Sequence, residues 1–368
     1  MINKTENLTY EDIKDYKLGA IYFKEKTIFR VFAPERKVKL SLSKDYSNPR
    51  KKIYEMKQNN LGVWEISLDG DFNGYYYSYI VDGKYEVTDP YSFTSSINSM
   101  FSAVVDMDQT NPEGFKYSKV PAIAEDKAII YEMNVKNYTA DETSGVINRG
   151  KYLGLTEENT SYHGFKTGLD NLEELGITHV QLLPIYDFIS VDESSDRFFD
   201  DDNYNWGYDP ELYFVPEGSY ASDPNDPKAR IIELKKMVAA IHRKNIAVIM
   251  DVVYNHTFKS YDSNLNTLGP NYYYRMNEDG TFSNGSGVGN ELASERPFVR
   301  KLIIDSLKHW VNEYKIDGFR FDLMALIDID TIKLALKELR TINPNLIIYG
   351  EPWMALDTTL PLSLIHIS

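Results

Sequence analysis

Residues 231–253, IIELKKMVAAIHRKNIAVIMDVV, hold the pattern on which the fold turns. Ile231, Leu234, Val238 and Ile241 fall on one face of a helix ending near Asn245, and Ala247 to Val253 follows as a nearly unbroken apolar run. A strand apolar on both faces is buried on both, as in a parallel sheet covered by helices. Helix, short loop and apolar strand recur after Pro121, which predicts parallel βα units. Leu169, Leu172 and Leu175 stripe a helix that Gly176 stops before a strand from Thr178 to Leu183. Phe298 to Tyr314 is a further helix with Phe319 to Leu323 as its strand. Ile332, Leu336 and Leu339 stripe the next, Pro344 prevents its continuation, and Leu346 to Tyr349 is the strand beyond. With Ala128 to Val135, this makes five parallel strands. Five fit either an open doubly wound sheet or part of a TIM-type (β/α)₈ barrel. The polar residues gathered just past strand ends favour the barrel, whose sites lie at its C-terminal mouth.

Upstream, from Tyr22 to about Val105, the period changes to two. Val38, Leu40 and Leu42 alternate with Lys39 and Ser41, and Trp64, Ile66 and Leu68 alternate with Glu65 and Ser67. Turns at Ser47-Asn48-Pro49, Asp69-Gly70 and Asp82-Gly83 give the spacing of a small β-sandwich. The expected layout is therefore multidomain: a sandwich over residues 1–120, then a partial barrel of about five βα units over 121–361.

Composition narrows the function. The 368 residues carry a net charge of −15, with Lys and Arg spread along the chain, so nucleic acid is not an expected partner. The chain has no cysteine, which excludes disulfides and thiolate chemistry and suits a reducing compartment. No stretch has the roughly 18 apolar residues of a membrane span, and the first residues lack the apolar core of a leader. A cytoplasmic protein without a membrane partner is expected.

Three strand ends carry chemistry. In Asp317-Gly318-Phe319-Arg320-Phe321-Asp322, a period of two sends Arg320 and Asp322 to one face. The neighbouring guanidinium favours an ionised Asp322, as a nucleophile requires; a buried ion pair without chemistry would look the same. Glu351 ends the next strand beside Pro352 and Trp353, which could keep water from a proton-donating carboxylic acid, although a loop ion pair would also suit it. Asp251, Asn255 and His256 supply donors and acceptors for sugar hydroxyls at a third strand end. Tyr204-Asn205-Trp206-Gly207-Tyr208-Asp209-Pro210 places aromatic rings in a loop where Trp206 or Tyr208 could stack on a pyranose. Asp223-Pro224-Asn225-Asp226-Pro227 reads as a turn and helix cap without chemistry. No Gly-rich phosphate loop follows a strand. No cofactor or metal is expected: Asp200-Asp201-Asp202 could hold a hard cation such as calcium, but reads better as a solvated acidic loop.

Taken together, DVVYNH at 251–256, GFRFD at 318–322 and GEPW at 350–353 resemble the first three conserved regions of the α-amylase family of retaining glycoside hydrolases. YNWGYDP, followed by PEGSY at 216–220, is similar to type I pullulanases, which debranch α-1,6 links. The resemblance runs from about Gly19 to Pro361 and implies a starch-binding-type sandwich ahead of the catalytic barrel. It implies Asp322 as nucleophile, Glu351 as general acid/base, Arg320 as the residue orienting the nucleophile, and Tyr208, Asp251 and His256 as a sugar subsite. The implied partner is an α-glucan such as pullulan, amylopectin or glycogen. Relatives carry His, Arg and Asp where this chain has Asn134, Lys136 and Asn137. The family's fourth region, a His-Asp pair near the seventh strand, is expected beyond the chain end, so the fragment alone is expected to be inactive. Residues 362–368 read as a foreign or frameshifted tail. The same residues also admit another α-glucan enzyme, of α-amylase, isoamylase or branching type, or a non-catalytic α-glucan-binding protein.

Overall fold

The structure is a computed structural model that describes residues 8–47 and 50–361. Residues 362–368, expected to be a foreign tail, and Asn48-Pro49 of the first expected turn lie outside the described residues.

Among the described residues nine strands build the N-terminal unit: β1 (Gly19–Phe23), β2 (Lys26–Phe32), β3 (Val38–Ser43), β4 (Lys52–Glu55), β5 (Lys57–Gln58), β6 (Val63–Asp69), β7 (Tyr76–Val81), β8 (Tyr85–Val87) and β9 (Ser102–Ala103). They form two antiparallel sheets, ordered β1-β2-β6-β5 and β4-β3-β7-β8, with β9 added to β7. The alternation read from sequence sets their inner faces: Val38, Leu40 and Leu42 pack with Phe29, Tyr77 and Tyr79 in a core of their own. Asp82 and Gly83, both at positive φ, turn β7 into β8. Asp89, wholly buried, accepts the hydroxyls of Tyr77 and Tyr79 at 2.9 and 3.1 Å.

The second unit comprises β10 (Ile130–Met133), β11 (Ser161–Tyr162), β12 (Phe165–Lys166), β13 (His179–Leu182), β14 (Tyr186–Phe188), β15 (Pro210–Pro216), β16 (Ala247–Val252), β17 (Gly318–Phe321) and β18 (Ile347–Gly350). Among the described residues seven α-helices accompany the strands: α1 (Tyr10–Ile13), α2 (Val135–Thr139), α3 (Gly168–Glu174), α4 (Ala229–Arg243), α5 (Asn264–Leu268), α6 (Pro297–Tyr314) and α7 (Ile329–Ile342). The main sheet is parallel throughout, in the order β10-β13-β16-β17-β18. Strand order follows chain order without a reversal. A doubly wound sheet reverses at its switch point, whereas a barrel adds each strand beside the last, so this is a partial (β/α)₈ barrel. Among the described residues β10 and β18 remain its two open edges.

Two local readings are corrected. The first strand ends at Met133, because Asn134 leaves the ladder to cap α2, its side chain accepting Asn137 N–H at 3.1 Å. Asp223 and Asp226 form turns, accepting Asn225 and Lys228 N–H at 3.0 and 2.9 Å, but neither side chain caps α4. The antiparallel pair β14·β15 was not anticipated. It consumes Leu212 to Val215, a fully buried apolar run on a strand that lies against α4 and α6. Among the described residues no helix is long and apolar enough to cross a membrane.

Candidate active site

Parallel register decides which side chains meet at the C-terminal mouth. Asp251 stands opposite Arg320 and Arg320 opposite Tyr349, so three adjacent strands point polar groups into one space. Arg320 Nη1 donates to Asp251 Oδ1 and Oδ2 at 3.0 and 2.9 Å, and reaches Asp322 Oδ1 at 3.4 Å. Its Nη2 forms an ion pair with Glu351. One guanidinium thus spans three carboxylates. Burial works against its charge, but Asp251 foremost outweighs that and holds Arg320 above its ordinary value.

Asp322 lies just past β17, where Leu323 turns into left-handed backbone at φ 42°. That turn brings Leu323 N–H to Glu351 Oε2 at 3.2 Å, tying the two strand ends together. Asn255 Nδ2 donates to the Asp322 carbonyl at 2.9 Å and to its Oδ2 at 2.8 Å. His256 Nδ1 lies 2.5 Å from Asn255 Oδ1 and its Nε2 3.0 Å from the Tyr208 carbonyl, so the histidine fixes the amide that holds Asp322. Burial pushes His256 down to about 4, so in neutral solution the ring is neutral and donates to only one of these two oxygens. Tyr208 donates its hydroxyl to Asp251 Oδ2 at 2.8 Å. Burial raises Asp251 to about 7 despite Arg320 and Tyr208.

The expected pairing of Arg320 with Asp322 is present at 3.4 Å, but its effect on the carboxyl group differs from the expectation. The two shorter arginine bonds go across the sheet to Asp251, and burial raises Asp322 above the usual carboxylate range, against the bonds from Asn255 and Arg320. Nor do Trp353 and Pro352 shield Glu351. Among the described residues both are exposed, Trp353 by 54%. Trp206 is 59% exposed on the rim, an open ring face rather than a contact of the carboxylates.

Several residues that the sequence did not single out complete the space. Gln181 on β13 donates to Glu132 Oε2 at 2.7 Å and accepts the Tyr349 hydroxyl, linking β10, β13 and β18 across the sheet interior. A lone glutamine between Val180 and Leu182 is the signal that could have revealed it. The three positions that depart from relatives fasten the neighbouring loop. Asn137 donates to Tyr204 Oη at 2.6 Å, Lys136 donates to the carbonyl of Phe198, and Asn134 donates to Tyr220 Oη at 3.3 Å.

Metal-type donors cluster elsewhere. Asp200 and Asp202 are ion-paired with Arg197 at 2.7 and 2.9 Å. Asp187, Glu193 and Glu217 bring carboxylate oxygens within 4.8 Å of one another, fully buried. There Arg230 supplies the counter-charge, with Nη2 2.8 Å from Glu193 and Nη1 3.8 Å from Asp187.

Known proteins resemble this chain in sequence and in fold. The profile of carbohydrate-binding module 48, the isoamylase N-terminal domain, matches residues 17–92, and that of the α-amylase catalytic domain matches residues 129–278. The pullulanase of Bacillus subtilis strain 168 is 40% identical over 356 residues, covering 94% of this chain and 48% of that protein. Pullulanase 1, chloroplastic, of Arabidopsis thaliana is 36% identical over 396 residues, covering 92% and 40%. Among solved structures, the pullulanase from Paenibacillus barengoltzii in complex with maltohexaose and α-cyclodextrin superposes with a TM-score of 0.91 at 42% identity, over 98% of this chain and 57% of that one. The pullulanase from Bacillus acidopullulyticus gives 0.92 at 40% identity, over 98% and 44%. The chain spans about half the length of these relatives, or less.

Proposed function

Because the chain belongs to the α-amylase family of glycoside hydrolases, on its type I pullulanase branch, we propose that its strand-end carboxylates cleave α-1,6-glucosidic links in the complete enzyme. The observation that carries this reading is the single guanidinium of Arg320 held among Asp251, Asp322 and Glu351 on three adjacent strands. Asp322 attacks the anomeric carbon while Glu351 protonates the departing glycosidic oxygen. Water then hydrolyses the glycosyl-enzyme with Glu351 as base, and configuration is retained. Arg320 and Asn255 orient the nucleophile, while Asp251, Tyr208 and His256 shape the sugar subsite. The open faces of Trp206 and Trp353 supply stacking surfaces at the rim. Residues 1–120 serve as a glucan-binding module and 121–361 as the first part of the catalytic barrel. No organic cofactor takes part. The substrate is a branched α-glucan met in the cytoplasm, a setting that the cysteine-free composition supports.

The test is an assay of the chain, expressed with whatever coding sequence follows it, on pullulan. Maltotriose should be released with retention, and Asp322→Asn and Glu351→Gln should each lower kcat by at least about 10³-fold while leaving glucan binding in place. Binding of amylopectin with no release by the unsubstituted enzyme would favour a non-catalytic glucan-binding role and sink this reading. Products other than maltotriose would point to another α-glucan enzyme on the same barrel.

A further inference from the structure

The glycine-punctuated stretch at 284–291, NGSGVGNE, belongs to no strand or helix, yet it and its neighbours are bonded to the ends of all three strands that carry the site. Toward β16, Asn290 pairs with Thr257: its Oδ1 accepts Thr257 N–H at 3.1 Å and its Nδ2 donates to the Thr257 carbonyl at 2.8 Å. Leu292 N–H donates to the Asn255 carbonyl at 2.8 Å. Toward β17, Arg275 Nη1 donates to the Leu326 carbonyl at 2.9 Å. Toward β18, the Gly285 carbonyl accepts the N–H groups of Ala355 and Leu356, both at 2.9 Å, and Ser283 Oγ accepts Thr359 N–H at 3.1 Å.

Glu291 stands at the centre of these bonds and is 0% exposed. Its Oε2 accepts Gly285 N–H at 2.9 Å, and its Oε1 accepts the Thr358 hydroxyl at 2.6 Å. Arg275 Nη1 lies 3.7 Å from the same Oε1, while Arg275 Nη2 is held by Glu295 at 2.8 Å. The packing around it is tight: a Cβ on Gly285 would run into Glu291 Oε2, Leu326 and Thr358. A buried carboxylate is a costly way to hold a loop, because an apolar group of the same size would spare its desolvation. What it adds is direction, since each oxygen fixes one partner through a charge-assisted hydrogen bond. One of those partners, Thr358, lies on the chain that leaves Glu351. There Pro352, Trp353 and residues 355–357 are exposed, so the bonds to Gly285 and Glu291, rather than packing, set the path of that chain.

We propose that Glu291 is a positioning residue for Glu351: through Gly285 and Thr358 it fixes the chain beyond β18 and with it the place from which Glu351 faces Asp322. The proposal rests on the roles given above to these two carboxyl groups. Arg320 and Leu323 N–H hold the Glu351 carboxylate from the β17 side, and Glu291 holds its backbone from the other. Fully buried, Glu291 meets no substrate itself. A retaining hydrolase needs its two carboxyl groups at a set separation, and a misplacement of about 1 Å is enough to cost on the order of 100-fold. Asp322 keeps its own support from Asn255, so loosening Glu291 should impair protonation of the departing oxygen and spare the attack on the anomeric carbon.

Leaving-group dependence separates these two effects. The complete enzyme, expressed as above, is assayed on pullulan and on α-maltotriosyl fluoride, whose fluoride ion departs without a proton. Glu291→Gln should lower kcat/KM on pullulan at least about 10-fold and leave kcat/KM on the fluoride within about twofold. Thr358→Val, which cuts the same tether at its half-buried end, should give the same split at about threefold or more, and it decides the matter if Glu291→Gln does not fold. Glu351→Gln should show the split most strongly, and Asp322→Asn should lose both substrates. Equal losses on the two substrates in Glu291→Gln and Thr358→Val would show a merely structural role and overturn the proposal, as would unchanged kcat/KM on pullulan. An unsubstituted enzyme that cleaves neither substrate, or a Glu351→Gln variant without the split, would instead bring down the proposed function, and this inference with it.

Discussion

Tyr208 and Asp251 share a hydrogen bond inside a site where Asp251 also anchors Arg320, so the phenol reaches Asp322, the proposed nucleophile, through Asp251 and Arg320 in turn. Tyr208→Phe removes one hydrogen bond to a charged group, a loss of about 1.5–3 kcal/mol. In the complete enzyme kcat/KM on pullulan should therefore fall by roughly 10- to 100-fold. The thermal midpoint should change little, because the ring that packs is kept. An unchanged kcat/KM would remove Tyr208 from the site. Arg320→Lys should be worse. A lysine is a point charge and cannot present separate donors to Asp251 and Glu351, so kcat should drop by at least about 100-fold and more than KM changes. Wild-type kcat in that variant would show that spanning the carboxylates is incidental. The identities of Arg320, Asp322 and Glu351 were legible because each stands at the end of a short apolar strand. Their partners were not. Local spacing joined Arg320 to Asp322 two residues away, whereas the shorter bonds run across the ladder to Asp251, 69 residues earlier, and register between strands is set by packing that no single segment contains.

Among the elements, β14 and β15 show how a charged residue in an apolar run can be explained only by distant partners. Asp187, in the middle of β14, and Glu217, just past β15, meet Glu193 and Arg230 in a pocket closed to solvent, with Ser99 of the sandwich donating to Asp187 at 2.5 Å and Asn98 N–H to Glu193 at 2.8 Å. Gly218 passes directly over this cluster, and a Cβ there would meet Arg230 Nη2 and Glu193 Oε1 far inside van der Waals contact. Neither side chain can swing away, since both are buried and Arg230 is bonded on two nitrogens. Gly218→Ala should cost about 1–3 kcal/mol and lower the thermal midpoint by several degrees. A midpoint within a degree of the unsubstituted chain would mean that the cluster repacks freely. The helices and parallel strands were readable because their apolar periods are long and local. The pair β14·β15 was hidden because a loop of some 20 residues separates its halves and irregular register shifts break its pattern.

Over the whole molecule, buried ionisable groups make folding depend on pH with a sign that can be worked out. Burial raises Asp89 to about 6, Asp251 to about 7 and Glu217 to about 8. Each holds in the folded state a proton that the unfolded chain has already released, so each lowers stability as pH rises from the ordinary carboxylate range to its folded value. His256 and His309, pushed down to about 4 and about 3 by burial, do the opposite, and their contribution rises with pH until the ordinary histidine value near about 6.5. Below that point the two sets oppose each other. Lys151, brought down to about 8 by burial, adds stability with pH only above its own value. Between about pH 6.5 and 8 the histidines no longer contribute, and the chain should lose stability as Asp251, Glu217 and Asp187, the last also pushed well above the ordinary carboxylate range by burial beside Glu193 and Glu217, give up their protons. The thermal midpoint should drop across that interval, and Glu217→Gln, which has nothing left to release and removes one acidic neighbour of Asp187, should reduce the slope whatever it does to the midpoint at pH 6.5. A flat profile in the unsubstituted chain, or an undiminished slope in the variant, would mean that Glu217 is already ionised at neutral pH and that Arg230 neutralises the cluster more fully than its distances to Asp187 and Glu193 imply.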